Sequence, residues 1–224
     1  MILQDYQDMS IELMEQPQNG AILIGLALAM TMRSDKEYKP VTREKCKFLI
    51  DAEHMSVFEH ATFTFLINGI SRSLLAQITR HRTATITSGS QHYQDYSDYP
   101  CSAGITHLNN YNAELLLRQS LTLSTTNYSK LLALGQAREE ARQVLPNASV
   151  VNILWTCDAR NLFGFLRQRL CNRNVMEMRV FAAKLRVILL GEFPELFTWS
   201  GPQCAHGECL QGRMQCKERA WVQV

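Results

Sequence analysis

The chain has 224 residues, 46% hydrophobic and 20% charged, with a formal net charge of +2. That length suits one domain with a sizeable core. The charge is too small to imply a nucleic-acid or membrane surface on its own, so any strong anion site must come from local clustering of cations. The amino terminus carries Asp5, Asp8, Glu12 and Glu15 ahead of its first apolar run, which does not read as a signal or transit sequence. Residues 21–32 are the most apolar stretch, about half of what a membrane span needs, and a buried helix over 19–32 is expected. A second helix is expected over 41–54, with Pro40 and Thr42 marking its start. From Ala61 to Ile67, Phe63, Phe65 and Ile67 alternate with Thr62 and Thr64, the period-two pattern of a half-buried strand. Asn68-Gly69 supplies a turn, and Ser71 caps a helix running to about Arg82. Residues 83–100 are rich in Thr, Ser, Gly, Asp and Tyr without helical period, the mark of a functional or disordered segment. Helices return near 111–143, 159–173 and 175–192, and the tail after Pro194 reads as irregular. Seven cysteines, an odd count without a secretory signal, point to a reducing cytoplasm.

Four segments carry the chemistry. Arg80-His81-Arg82, at the expected helix end, precedes Thr85, Thr87, Ser88 and Ser90. End-capping of the helix dipole is one reading; a phosphate cradle of guanidinium forks and hydroxyls is the other. In the helix from Arg160, Leu162, Phe165, Leu166 and Arg169 share one face. An arginine there must reach water or meet an anion or carbonyl. Five arginines and no lysine between 160 and 179 favour a need for fork geometry rather than mere charge. Arg142 follows Glu139 and Glu140, which read as its helix-surface partners. His54 and His60, with Glu59 between them, lack the i, i+4 spacing of a helical metal site.

In this order the segments resemble the flavin-dependent thymidylate synthases. That family's signature is Arg-His-Arg, seven residues, then Ser; here Arg80-His81-Arg82, residues 83–89 and Ser90 fill it. The resemblance takes in HMSVFEHATFTF, EEARQVLP, ARNLFGFLRQR and NVMEMR, spanning roughly residues 45–185. It implies an α+β fold, a single domain of mostly antiparallel sheet with long helices over residues 1–200, followed by a cysteine-containing tail over 201–224. It also implies a homotetramer with active sites shared between subunits, methylating C5 of a pyrimidine nucleotide, dUMP first, with FAD as cofactor and NADPH and methylenetetrahydrofolate as co-substrates. By the same resemblance His54, Ser56, Arg80, His81, Arg82, Ser88, Asp158, Ala159, Arg160 and Gly164 would contact the flavin cofactor. Gln77, Arg80, Ser88, Gly89, Ser90, Gln91, His92, and Arg142 from a neighbouring chain would hold the nucleotide. Arg169 would contact the pyrimidine and act as the catalytic residue. That role agrees with the residue chemistry, because a nucleophilic C5 loads negative charge onto the ring oxygens and N3, which a fixed guanidinium stabilises. No cysteine nucleophile is needed, since the flavin carries the redox and one-carbon chemistry.

The chain departs from the family pattern at ligand-facing positions. Thr87-Ser88 stands where Asn-Glu is common, His92 where Arg is, Asp158 where Asn is, and Gly164 where Asn or His is. These changes alter charge and reach and leave open UMP or dCMP as substrate, a hydroxymethyl product, or a non-catalytic nucleotide-binding homologue. A nucleic-acid module is disfavoured by the low charge and by the lack of aromatics interleaved with the cations. Phosphate-loop and dinucleotide glycine fingerprints are absent. In the tail, Cys204, His206, Cys209 and Cys216 offer a zinc-type donor set, but gaps of four and six residues lack the CxxC pair. No metal is the expectation.

Overall fold

The computed structural model describes residues 3–31, 39–104, 108–205 and 207–216. Its strands are β1 (Leu3–Gln4), β2 (Ser10–Glu15), β3 (Thr62–Ser71), β4 (Thr85–Ser88), β5 (Cys101–Ser102) and β6 (Val150–Asp158). Its helices are α1 (Gly20–Thr31), α2 (Arg43–Asp51), α3 (Arg72–Ile78), α4 (Tyr111–Ala133), α5 (Arg138–Ala141), α6 (Ala159–Arg169), α7 (Met176–Glu192) and α8 (Pro194–Phe197). The class is α+β, helices with an antiparallel sheet. A four-stranded sheet has the order β2-β3-β6-β4, and β1 pairs in parallel with β5.

Contacts divide the chain into two compact units. One comprises Met1–Ser10, Leu66–His81 and Ile86–Leu154; the other comprises Ile11–Phe65, Arg82–Thr85 and Trp155–Val224. In the second unit Phe63, Phe65, Trp155, Phe165, Phe181 and Phe197 form a continuous aromatic core with ring centroids 5.1 to 6.3 Å apart. Such pairs add to simple area burial. In the first unit, Tyr96, Tyr128 and Ala141 form one small core and Cys101, Ala103 and Leu121 another.

Local chemistry explains most of the elements. Thr42 caps α2 by accepting the Lys45 N–H at 3.3 Å, and Ser71 caps α3 by accepting the Leu74 N–H at 3.0 Å. The alternation over β3 puts Phe63, Phe65 and Ile67 inside. The structure corrects several expectations. Asn68-Gly69 makes no turn: β3 continues to Ser71, with Gly69 at φ +80° donating its N–H to Asn152 Oδ1 at 3.1 Å. Helix α3 stops at Ile78, so Arg80-His81-Arg82 lies beyond it in a turn segment. The helix expected over 111–143 ends at Ala133, where Gly135 at φ +81° donates to Leu132 O and Gln136 donates to Leu131 O. That is a Schellman stop, closing two orphan carbonyls. Helix α6 ends at Arg169 rather than 173, a strand β4 runs within the expected irregular stretch, and Pro194 starts the short helix α8. Helix α1 is not buried within one chain: only Gly20 and Ile24 are, while Ile22, Leu23 and Met30 are exposed. A helix apolar on every side needs cover on every side, and among the described residues that cover is partial.

Candidate active site

In the first unit Ser88 to His92 lie on and after β4, and Gln77, Arg80 and Arg142 belong to the same unit. Gly89 donates its N–H to Asn152 O at 3.0 Å, extending the pairing of β4 beyond Ser88. Ser90 opens a tight turn: its Oγ accepts the His92 N–H at 3.2 Å and its carbonyl accepts the Gln94 N–H at 3.0 Å. Ser88 is exposed, and Ser90 and Gln91 are half-buried. His92 Nδ1 stands 3.4 Å from Glu139 Oε2, and Arg138 donates to the Tyr93 carbonyl at 3.5 Å. The chain before Arg142 is thereby tied to the same loop. Arg80 and Arg142 are exposed, and among the described residues their guanidinium groups take no hydrogen-bond or ion-pair partner. Gln77 and His81 are half-buried and do have partners.

One organiser of this loop is absent from the sequence reading. Arg72 Nη2 donates to the Gly89 carbonyl at 2.9 Å and to Tyr96 Oη at 3.4 Å, with its guanidinium 5.8 Å from the Tyr96 ring centroid. Tyr96 in turn donates its N–H to Tyr128 Oη at 3.2 Å. A signal existed: Arg72 is the first residue of α3, where the helix dipole disfavours a cation unless something else holds it. Asp95 completes the loop by accepting the Ser97 N–H and hydroxyl at 2.8 and 2.7 Å. These bonds, the Ser97 hydroxyl first, hold the Asp95 carboxyl below its ordinary value.

Arg80, His81 and Ser88 of the flavin type belong to the first unit, and the others of that type to the second. Glu53 is the one non-glycine residue with positive φ, at 58°, among the described residues, a conformation that costs energy and is often kept for function. It sets the entry to exposed His54 and Ser56. Arg82 is exposed, without a guanidinium partner among the described residues. Asp158 caps α6: Oδ1 accepts the Asn161 N–H at 2.9 Å and Oδ2 accepts Asn161 Nδ2 at 2.6 Å. Ala159 is buried, its N–H donated to Ala61 O at 2.7 Å. Arg160 is exposed and paired with Glu59. The donors left over, Arg82, Ser56 and His54, suit a phosphate-bearing cofactor.

Arg169 stands where the apolar face of α6 ends. Leu162, Phe165 and Leu166 on that face are buried, Arg169 half-buried. Its Nη1 donates to Asn174 Oδ1 at 3.2 Å, while Asn174 Nδ2 donates to the carbonyls of Gln168 and Cys171. Burial pushes the guanidinium below its ordinary value; even so it stays charged at neutral pH. Arg169 lines a cleft of about 400 Å³ together with Gly164, Arg167 and Arg173, and the tail residues Gln203, Cys204, Cys209 and Gln211. Among the described residues three arginines and no carboxylate line it, so the cleft favours anions. A Cβ on Gly164 would meet nothing within 4 Å, so a side chain of the commoner kind would project into open space there.

The cysteines are free thiols. Burial pushes Cys46 and Cys157 up to about 12 and raises Cys101, which makes all three poor nucleophiles at neutral pH. Among the described residues no group of three or more His, Cys, Asp or Glu is placed to hold a metal ion, and His206 lies outside those residues. No helix among them is long and apolar enough to cross a membrane.

The family described as thymidylate synthase complementing protein matches residues 12–195. Flavin-dependent thymidylate synthase from Geobacter sulfurreducens is 35% identical over 175 residues, covering 75% of this chain and 74% of the relative. The enzyme of the same description from Sulfurisphaera tokodaii is 33% identical over 204 residues, covering 88% and 79%. Among solved structures, a UMP/dUMP methylase from Streptomyces cacaoi bound with 5-Br dUMP shares the fold at TM-score 0.75 and 22% identity, over 88% of this chain and 96% of that one. This chain belongs to the flavin-dependent thymidylate synthase family.

Proposed function

We propose that the chain methylates C5 of dUMP, with FAD bound and with methylenetetrahydrofolate and NADPH as co-substrates, in a homotetramer. The observation that carries the reading is Arg169, half-buried in a cleft lined by two further arginines and, among the described residues, by no carboxylate. Making C5 nucleophilic puts charge on the uracil oxygens and N3, and a preorganised guanidinium in a partly desolvated cleft stabilises that charge as it develops. Gln77, Arg80, the turn from Ser88 to His92, and Arg142 of a neighbouring protomer hold the nucleotide. In the turn, the Ser90 hydroxyl and the backbone set by Arg72 orient the phosphate end. Arg80, His81 and Arg82, with His54, Ser56, Ser88, Ala159, Arg160 and the open position at Gly164, bind the cofactor; Asp158 acts by fixing the start of α6. When bound, the flavin supplies redox and one-carbon transfer.

Assembly into a tetramer agrees with the exposed apolar surface. Helix α4 exposes Tyr111, Leu115, Leu116 and Leu123, and α1 exposes Ile22, Leu23 and Met30; exposed apolar patches of this kind mark interaction sites. A second reading, a shift toward UMP or dCMP, draws on Thr87, Ser88 and His92, the last of which faces Glu139. Purified protein supplied with methylenetetrahydrofolate, NADPH and each of dUMP, UMP and dCMP tests both. The expected product is dTMP from dUMP, identified by mass. A methylated product from UMP or dCMP alone transfers the assignment to that nucleotide, and bound flavin without any product removes the catalytic reading.

A further inference from the structure

The tail after α8 is built into the wall of the Arg169 cleft. Arg186, buried on α7, donates from Nε to the Ser200 carbonyl and Oγ at 3.2 and 3.1 Å, anchoring the start of the tail. From there Gln203 Oε1 accepts from Arg167 Nε, and Gln211 Oε1 accepts from Arg173 Nη1. Arg173 also rests its Nη2 3.4 Å from Met214 Sδ. Both arginines line the cleft, as do both glutamines. The function above uses Arg169 and leaves Arg167 and Arg173 without a task.

Each of these guanidinium groups holds a planar amide oxygen carrying no charge. A glutamate-type carboxylate has the same shape as the glutamine amide, adds a negative charge, and makes roughly twice as strong a bond to a guanidinium. Gln203 and Gln211 therefore occupy, as neutral isosteres, positions that a carboxylate takes with advantage. Arginine is also the side chain whose fork matches a carboxylate in two bonds at once. The geometry points to a second subsite in this cleft, formed by Arg167 and Arg173, that binds the glutamate carboxylates of the one-carbon co-substrate, with the tail glutamines as displaceable placeholders. This rests on the reading of the cleft as the active site, and it adds to that reading a preference for co-substrates bearing a chain of γ-linked glutamates.

The test uses the full-length protein with tri-γ-glutamate peptide as a binding probe, and methylenetetrahydrofolate carrying one or three glutamates as substrate. Wild-type protein is expected to bind the peptide by calorimetry and to show a KM about tenfold lower for the triglutamyl substrate, the ratio that one charge-assisted bond accounts for. The double variant Gln203→Glu with Gln211→Glu fills both forks with carboxylates of the chain itself. It should lose the peptide and bring the two KM values together, whereas a purely structural tail would only be held more tightly and keep the ratio. Arg167→Gln with Arg173→Gln should lose the preference as well. Equal KM values in the wild type, or a ratio unmoved in the glutamate variant, overturn the subsite while leaving the methylation reading standing. Peptide binding that disappears in both double variants, in a protein that turns over neither substrate, upholds the subsite and removes the activity.

Discussion

A guanidinium at the end of an apolar helix face is satisfied by water or by an anion, and Arg169 is set up for the second. Its Nη1 is held by Asn174, whose own amide is fixed by two backbone carbonyls, so the cation is aimed before any ligand arrives. Preorganisation of this kind is what makes a donor effective at a developing charge. Arg169→Lys keeps the charge but loses the planar fork, and kcat is expected to fall by about 10²-fold while the unfolding midpoint stays near that of the wild type. Steady-state kinetics beside thermal unfolding check this; a wild-type kcat in the lysine variant would remove Arg169 from the chemistry. Asp95 matters at the same scale for a different reason. Its folded pKa lies below the ordinary 3.8, so the stabilisation it gives the loop is full above that value and is lost as pH falls through the lowered folded value. The protection factor of the Ser97 amide, its exchange relative to the intrinsic rate at each pH, should therefore fall below about pH 3.8 in the wild type and be near one at every pH in Asp95→Ala; a wild-type protection factor unchanged through that range would contradict the assignment.

Among the elements, α1 illustrates how closely backbone packs in the second unit. Val41 donates its N–H to Ala21 O at 2.9 Å, and a Cβ on Gly25 would lie 1.9 Å from the Lys39 carbonyl oxygen. Neither side of that contact can move without separating α1 from the chain at 39–41. Gly25→Ala is expected to cost about 1–3 kcal/mol, lowering the melting temperature by roughly 2–4 °C per kcal/mol; an unchanged melting curve would contradict it. What the sequence disclosed about elements follows the strength of the local signal. The threonine and serine caps of α2 and α3 and the alternation over β3 were readable because each is decided within a few residues. β6 was passed over although Val151, Ile153, Trp155 and Cys157 are buried and the residues between them are not; with Val150 and Leu154 also apolar, the run looks continuous and its period is masked. The end of α3 was misplaced because Arg80 and Arg82 are good helix formers, and only the hydrogen bonds beyond Ile78 show that the helix has stopped.

At the scale of the whole molecule, the candidate site was legible as a set of residues and not as a geometry. The order of Arg80-His81-Arg82, Ser90, Arg142 and Arg169 along the chain identified the family. It could not reveal that Arg72 holds the Gly89 carbonyl, that Asp158 spends both carboxylate oxygens on Asn161, or that Arg160 pairs at the surface with Glu59. Those are tertiary or capping facts with no sequence period. Nor did it disclose that the cysteine tail lines the Arg169 cleft. The exposed apolar residues on α1 and α4 are the surface that the proposed tetramer would cover. In the proposed reaction this protein, with flavin bound, makes C5 of dUMP nucleophilic beside Arg169. Release of tritium from dUMP labelled at C5 measures that step most directly. Tritium is expected to appear in water in step with dTMP, dependent on methylenetetrahydrofolate and NADPH and strongly reduced in the Arg169→Lys variant; a flavin-loaded wild-type protein that retains all the label under those conditions would contradict this.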